Sequence, residues 1–252
     1  IYLINLYEYD KAESYFVKSL KIREKKFSAE HPNIASALNN LGFLYYQQKL
    51  FKKAEPLYLR ALKIREKRLG DNHPFTSLSL RNLGILYKDQ GLYKKAEPLL
   101  IKSLKIDIKN LGSDHPDIAT NLNELAMLYH AQGLYEEAEL HYNSALKIDE
   151  KNFGVYHPET EIILQNLGGL YLDKNLYRKA IPVFERALAI NRKTLGSEHE
   201  QIASDLNNLA LLKKDLALYK DAENLYLEAL EIRKNVLGIN HPDTATSIDN
   251  LE

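Results

Sequence analysis

Residues 61–74 read Ala-Leu-Lys-Ile-Arg-Glu-Lys-Arg-Leu-Gly-Asp-Asn-His-Pro, and the elements of this stretch recur every 42 residues. We call the residues at one position of successive units a column. The His-Pro column, with His-Glu at one place, begins with His31, His73, His115, His157, His199 and His241. The glycine column contains Gly70, Gly112, Gly154, Gly196 and Gly238. A fixed period of this length predicts a repeat architecture, in which each unit packs on its neighbours.

Each unit contains the pattern of two helices. The apolar spacing predicts a first helix over Pro74–Asp89 and a second over Tyr93–Asn110, with a turn at Gly91. Proline suits the first turn of a helix, so the preceding histidine is expected to be the cap or linker. Gly112 is expected to end the second helix with a positive φ. The sequence therefore predicts an all-α solenoid of antiparallel helix pairs.

The repeats extend over the whole sequence, which predicts a single array over residues 1–252. Its expected parts are a partial unit at 1–32, five full units at 33–242 and a partial unit at 243–252. Residues 1–8 are expected to be the tail of a first helix, and 9–28 its second helix. No polar capping helix is recognisable at either end, so we expect a fragment of a longer protein. The last full unit has Lys213 in a tyrosine column and Ala217 in a turn column that holds glycine at Gly91. We expect that unit to be among the less stable ones.

Composition and motifs narrow the possible functions. Lys plus Arg and Asp plus Glu are both 34, so no overall positive charge favours nucleic acid. Cysteine is absent, which excludes disulfides and thiolate chemistry. We find no apolar run that would span a membrane and no glycine-rich phosphate loop or nucleophile elbow. The histidines of one column are too far apart to share a metal ion. We therefore expect a cytoplasmic, non-catalytic protein without cofactor or metal.

The motif Leu41-Gly42, Tyr45, Ala54, Tyr58 and Ala61 resembles the tetratricopeptide signature. The stretches Leu38–Leu41, Tyr93–Pro98 and 61–74 resemble the long repeats of kinesin light chains, which many bacterial multidomain proteins also contain. The resemblance covers essentially the whole chain. It implies a right-handed superhelix whose first helices line the concave surface. It also implies that asparagines on those helices hold peptide ligands.

The sharpest candidate site is a column in the middle of the first helices. It contains Asn40, Asn82, Glu124, Asn166, Asn208 and Asn250. Asparagine is a poor residue for a helix interior, so its repeated presence needs a reason. One interpretation is hydrogen bonding to a bound peptide, because the amide is both donor and acceptor. The other is a bond to the neighbouring helix across the seam between units.

Three further columns flank the asparagines and are expected to contact the same ligand. A second polar column, interpreted as the rim of the groove, contains Asn39, Arg81, Asn123, Gln165 and Asn207. An apolar column contains Phe43, Ile85, Met127 and Leu211, with Gly169 as a possible depression between them. The acidic positions of the fourth column are Asp89, Asp173 and Asp215. Tyr46 lies beside these columns and is a further candidate contact.

The charges on this surface predict the class of ligand. Arg81 is the cation among these columns, whereas Asp89 and Glu124 are acidic, so a clamp for a terminal carboxylate is not expected. An internal, apolar segment with some basic residues is favoured. On the second helices, Lys63, Arg65, Glu66, Lys67 and Arg68 are interpreted as a solvated face. The sequence leaves two functions open, a passive protein-interaction scaffold or a regulatory array attached to an NTPase or protease domain.

Overall fold

The computed structural model describes residues 9–251, which form twelve α-helices without a β-strand. They are α1 (Tyr9–Lys26), α2 (Pro32–Gln47), α3 (Phe51–Leu69), α4 (Pro74–Asp89), α5 (Tyr93–Leu111), α6 (Pro116–Ala131), α7 (Tyr135–Phe153), α8 (Pro158–Asp173), α9 (Tyr177–Leu195), α10 (Glu200–Asp215), α11 (Tyr219–Leu237) and α12 (Pro242–Asp249). Even numbers are first helices and odd numbers are second helices. None of the helices within this range is long and apolar enough to cross a membrane.

The predicted helix pairs are confirmed, with small differences at their ends. The first helix predicted over residues 74–89 has those bounds, and the second ends at Leu111 rather than Asn110. Helix α1 ends at Lys26, before the expected residue 28. The prediction for residues 1–8 lies outside the described residues.

The histidine column caps the first helices, which confirms its linker role. In each of the six loops, the Nδ1 atom accepts a hydrogen bond from the backbone N–H two residues later, at 3.1–3.2 Å. This bond satisfies one of the free N–H groups at the start of the helix. Helix α10 keeps the cap although Glu200 replaces the proline, so the histidine alone is sufficient for it.

The chain divides into two compact units, each of which contains several of the 42-residue repeats. Residues 1–133 are here called unit 1, and residues 134–252 are called unit 2. In each unit a glycine of a first helix lies against a large side chain of the following second helix. A Cβ at Gly42 would lie 2.8 Å from Tyr58, and one at Gly168 would lie 2.5 Å from Phe184. These contacts require glycine, because a methyl group would overlap the ring. Continuity of one array from residue 1 to 252 stays a prediction.

A column of polar side chains is buried inside the helix pairs. It contains Arg65, Asp107, Asp149, Asn191 and Arg233. The solvated face predicted for Arg65 is wrong, since this residue is only 3% exposed. Its guanidinium donates hydrogen bonds to the Phe75 carbonyl at 3.0 Å and to Ser79 Oγ at 2.7 Å. Burial lowers the pKa of Arg65 to about 10.

Most members of this column bond to the residue fourteen positions later, on the next first helix. Asp107 accepts from Asn121 at 2.7 Å, and Asn191 donates to Asp205 at 2.8 Å. Asp149 is the exception, because the residue at the partner position is Ile163. Asp149 is 5% exposed and has no hydrogen-bond partner among residues 9–251. Its pKa is raised to about 6 by burial and by the Glu159 carboxylate, against the opposing effect of His157.

Candidate functional site

In each of the two compact units, the candidate site is the surface of the first helices that carries the predicted columns, here called the first-helix face. The structure divides the asparagine column into two kinds of environment. Asn82 Nδ2 donates to Asn39 Oδ1 at 2.8 Å, a bond across the seam between α4 and α2. Asn40 and Asn208 are exposed, and neither side chain has a hydrogen-bond partner among residues 9–251. The bond across the seam is therefore present in one repeat, whereas the exposed asparagines that could contact a ligand lie in other repeats.

The remaining members of the asparagine column are less exposed. Glu124 and Asn166 are half-buried on α6 and α8. Asn250 follows α12 as its C-terminal cap and is also half-buried. These positions present their side chains to solvent only in part.

The second polar column does not form a simple rim. Asn39 and Asn123 are each 9% exposed, so the rim position predicted for them is wrong. Their amides serve neighbouring side chains: Asn123 Nδ2 lies 3.8 Å from Met127 Sδ. Arg81, Gln165 and Asn207 are half-buried. Side-chain type does not decide the burial, because Asn207 is half-buried although it is the same residue type as Asn39 and Asn123.

Lys88 is a residue of this face that the sequence analysis missed. Its side chain is 7% exposed, and Nζ donates to Glu124 Oε2 at 2.8 Å and lies 3.7 Å from Asp89 Oδ1. Lys88 thus offsets part of the negative charge of the two carboxylates that were predicted to attract basic ligand residues. The sequence contains a sign of this role, because Lys88 occupies the same column as Tyr46, which was predicted to contact the ligand.

Tyr46 connects the polar and apolar parts of the face in unit 1. Its hydroxyl donates to Asp89 Oδ2 at 2.5 Å, and its ring lies 6.4 Å from that of Phe43 and 6.1 Å from that of Phe51. Burial, and then the bond to Asp89, raise the pKa of the Tyr46 hydroxyl. The hydroxyl therefore stays protonated and remains a donor.

Two cavities lie beside Tyr46. A small one of about 50 Å³ is lined by Phe43, Tyr46, Tyr58, Asn82 and Ile85. A more open one of about 400 Å³ is lined by Tyr46, Gln47, Lys49, Phe51 and Asp89. The first is large enough for a methyl group or a water molecule and the second for a side chain. The apolar column of unit 1 borders the smaller cavity, through Phe43 and Ile85.

The face in unit 2 is more open. Ile162 on α8 is 48% exposed and Leu211 on α10 is 53% exposed. Asp173 and Asp215, at the ends of the same two helices, are also exposed. A Cβ placed on Gly169 would meet no atom within 4 Å. Unit 2 thus presents amide, carboxylate and apolar groups on its first helices.

Comparison with known proteins places the sequence in a repeat family. The tetratricopeptide repeat model matches six overlapping segments: residues 3–67, 34–107, 76–151, 117–193, 159–235 and 201–252. No curated protein matches the sequence significantly. The resemblance noted from the repeat motifs is therefore supported by a model that extends over nearly the entire chain.

Solved structures give the same result. BtubC (BKLC) from P. vanneervenii is 26% identical, with a TM-score of 0.77 over 93% of this chain and 94% of that one. A Podosopora anserina protein with nearly identical TPR-like repeats, of the kinesin light chain type, is 26% identical, with a TM-score of 0.70 over 81% of this chain and 97% of that one. The quorum sensor NprR from B. thuringiensis is 19% identical, with a TM-score of 0.70 over 99% of this chain and 66% of that one, and this likeness concerns the fold alone.

The repeat period, the paired helices and these matches agree, and the 252-residue chain belongs to the tetratricopeptide repeat family.

Proposed function

We propose that this chain is a non-catalytic interaction module whose first-helix face binds an extended or helical segment of a partner protein. The observation that carries the proposal is that Asn40 and Asn208 are exposed in helix interiors and that neither side chain has a hydrogen-bond partner among residues 9–251. Asparagine lowers helix stability there, and no contact within the described fold compensates for it. A ligand backbone would use both the donor and the acceptor of each amide.

The apolar column supplies the other half of the proposed contact. Phe43 is half-buried beside Asn40, and Leu211 is exposed beside Asn208, each three residues further along its helix. Residues at this spacing lie on one side of a helix. A bound segment would thus meet an amide and an apolar side chain together at both of these positions.

We propose an internal segment rather than a chain end as the ligand. A terminal carboxylate needs accessible cations, and Lys88 is buried against Glu124. Arg81 is half-buried and is the only member of the four predicted columns that carries a positive charge. A cytoplasmic location and the lack of catalytic activity are part of the same proposal.

The experiment is a pull-down with mass spectrometry, using the wild-type chain and the double variant Asn40→Ala with Asn208→Ala as baits. The matched control is Asn143→Ala, because Asn143 is an exposed asparagine on the second helix α7. Circular dichroism checks that all three baits are folded. We expect the double variant to lose proteins that the wild type and the control both retain. If the three baits capture the same proteins, or none captures any, the asparagines do not bind the partner.

A further inference from the structure

The net charge of the chain is zero, but the charge is divided unequally between its two units. Unit 1 contains 21 Lys and Arg against 14 Asp and Glu, and unit 2 contains 13 against 20. The excess in unit 1 lies on its second helices, because α1, α3 and α5 together contain 18 basic and 7 acidic residues. The second helices of unit 2 contain ten of each. The balanced total therefore conceals a basic surface on one unit.

The basic residues of unit 1 form three columns on its second helices. The columns begin at Lys18, Lys21 and Lys25 on α1, and the residues 42 positions later on α3 and 84 positions later on α5 are also Lys or Arg. These nine residues are here called the cationic patch. Residues three, four and seven positions apart lie on one side of a helix. The corresponding nine positions of unit 2 hold four basic and two acidic residues, so the patch is specific to unit 1.

The cationic patch is continuous from one second helix to the next. Arg60 Nη1 lies 2.7 Å from Glu24 Oε1, which joins α3 to α1. Lys102 Nζ lies 3.3 Å from Glu66 Oε1, which joins α5 to α3. The second helices of successive repeats are therefore direct neighbours on this side of unit 1.

Most of the cations in the patch are free. Six of the nine are exposed and have no ion-pair or hydrogen-bond partner among residues 9–251: Lys18, Lys21, Lys25, Lys63, Lys105 and Lys109. A row of unpaired like charges is unfavourable in the free protein, and a ligand of opposite charge removes that repulsion.

Five of the seven acidic residues on these helices are engaged with other groups. Glu24 and Glu66 form the two ion pairs between second helices. Glu13, Glu55 and Glu97 each accept a hydrogen bond from a tyrosine of a first helix, at 2.7–3.2 Å. These carboxylates are thus bound to partners other than the six free lysines.

Apolar side chains border the patch and indicate the class of ligand. Leu59, one turn before Lys63, is 43% exposed, and Ile108, one turn after Lys105, is 40% exposed. None of the nine patch residues is aromatic, so the patch offers no ring on which a nucleic acid base would stack. Eight of the nine are lysines, which lack the planar fork with which arginine binds a phosphate. Carboxylates combined with apolar groups match this surface better than a phosphate backbone does.

We propose that the cationic patch is a second interaction surface, which binds an acidic segment of a partner protein. Glutamates or aspartates of the segment pair with the free lysines, and its apolar side chains cover Leu59 and Ile108. The surface lies on second helices, so it is independent of the first-helix face and of the ligand proposed for that face. Charge complementarity of this kind speeds association and selects the partner.

The test measures the binding of labelled probes to the whole chain by fluorescence anisotropy at low salt. One peptide contains glutamates and leucines, with the leucines at helical spacing, and a second has alanine in place of each leucine. A single-stranded DNA with the charge of the first peptide is the third probe.

Two triple variants are compared. The key variant neutralises one column of the patch through Lys21→Gln, Lys63→Gln and Lys105→Gln. The matched control is Lys147→Gln with Lys220→Gln and Lys234→Gln, which removes the same charge from exposed lysines on second helices of unit 2. All six side chains are exposed, so both variants are expected to fold, and circular dichroism checks this.

We expect the glutamate-leucine peptide to bind the wild type most tightly of the three probes. The key variant should weaken this binding about tenfold, the combined effect of losing three exposed ion pairs. The control variant should bind as the wild type does. Affinity should fall as salt is added, because exposed charge pairs are screened.

Three results would overturn the proposal. They are no binding of the glutamate-leucine peptide to the wild type, equal weakening by both triple variants, and tighter binding of the DNA, which would make the ligand a nucleic acid. Equal binding of the alanine peptide would reject the contact with Leu59 and Ile108. The double variant Asn40→Ala with Asn208→Ala should bind the peptide normally. If it loses binding while the key variant does not, the peptide lies on the first-helix face and the cationic patch is rejected.

Discussion

The substitution Asp149→Asn tests how a buried charge affects unit 2. Asp149 is 5% exposed, and Ile163 occupies the position at which the other repeats have a polar partner. Its pKa is raised from 3.8 to about 6, first by burial and then by Glu159. This difference corresponds to a penalty of about 3 kcal/mol for the ionised form in the folded state. Asparagine removes the charge but keeps a buried polar group, so we expect a gain of about 2 kcal/mol.

The gain must depend on pH in a defined direction. Because the folded-state pKa is the higher one, the folded protein binds the proton more tightly between about pH 4 and pH 6. The wild type therefore loses stability as the pH rises through this range, and the loss is complete above about pH 7. Asp149→Asn should be more stable than the wild type above pH 7 and nearly equal to it near pH 4.

The assay is urea unfolding followed by circular dichroism at several pH values, with hydrogen exchange of α7 and α8 to localise the effect. Asp107→Asn is the control, because Asp107 accepts a hydrogen bond from Asn121 at 2.7 Å and should gain nothing from neutralisation. In a second variant, Ile163→Asn places that same partner opposite Asp149 and should remove the pH dependence. A gain in Asp149→Asn that is equal at low and high pH, or a loss above pH 7, would refute the argument.

Three other substitutions have expected outcomes that thermal unfolding can check. Ala217→Gly should raise stability by about 1 kcal/mol, because Ala217 has a φ of 59° in the turn before α11, and an unchanged midpoint would contradict this. His73→Ala should cost about 1 kcal/mol, because it removes the 3.1 Å bond from the Phe75 N–H, and hydrogen exchange at the start of α4 should rise with it. Gly168→Ala should destabilise by about 1–3 kcal/mol because its Cβ would overlap Phe184, whereas a neutral result would mean that the ring moves freely.

Much of the fold was predictable because its signals are local and repeated. The bounds of α4 follow from Pro74 at its start and from the turn at Gly91, and the same pattern recurs at each unit. The prediction for Arg65 failed because its partner, Ser79, lies on the next helix. Amphipathic spacing within one helix shows which side is apolar, but it does not show which charged residue reaches across to a neighbouring element.

The sequence predicts which helices carry the site. It does not distinguish residues at the seam between two helix pairs from residues on the surface. Asn39 and Asn40 are adjacent asparagines, yet one bonds to Asn82 and is buried while the other is exposed. A rotation of about 100° per residue separates them, and only packing shows which one faces the neighbour. The same holds for Gly168 and Gly169, whose roles differ because Phe184 lies against only the first.

In the last full repeat, two substitutions occur together, and a polar contact between neighbouring helices is kept. In earlier units a tyrosine of the first helix donates to a glutamate of a preceding second helix, as in Tyr87 to Glu55 at 2.8 Å and Tyr171 to Glu139 at 2.8 Å. In the last full repeat, Lys213 occupies the tyrosine column and Ile181 occupies the glutamate column.

Ile181 packs against the apolar core of unit 2, and Lys213 pairs with Glu185, one turn further along α9. The polar contact is thus moved rather than lost, so Lys213 by itself gives no reason for low stability. Ala217 has a positive φ of 59° in its turn, but Lys49 and Asn175 occupy the same turn position in other repeats with φ of 57° and 55°. A non-glycine residue with positive φ is therefore shared by three repeats, and the lower stability expected of the last full one stays a prediction that hydrogen exchange can test.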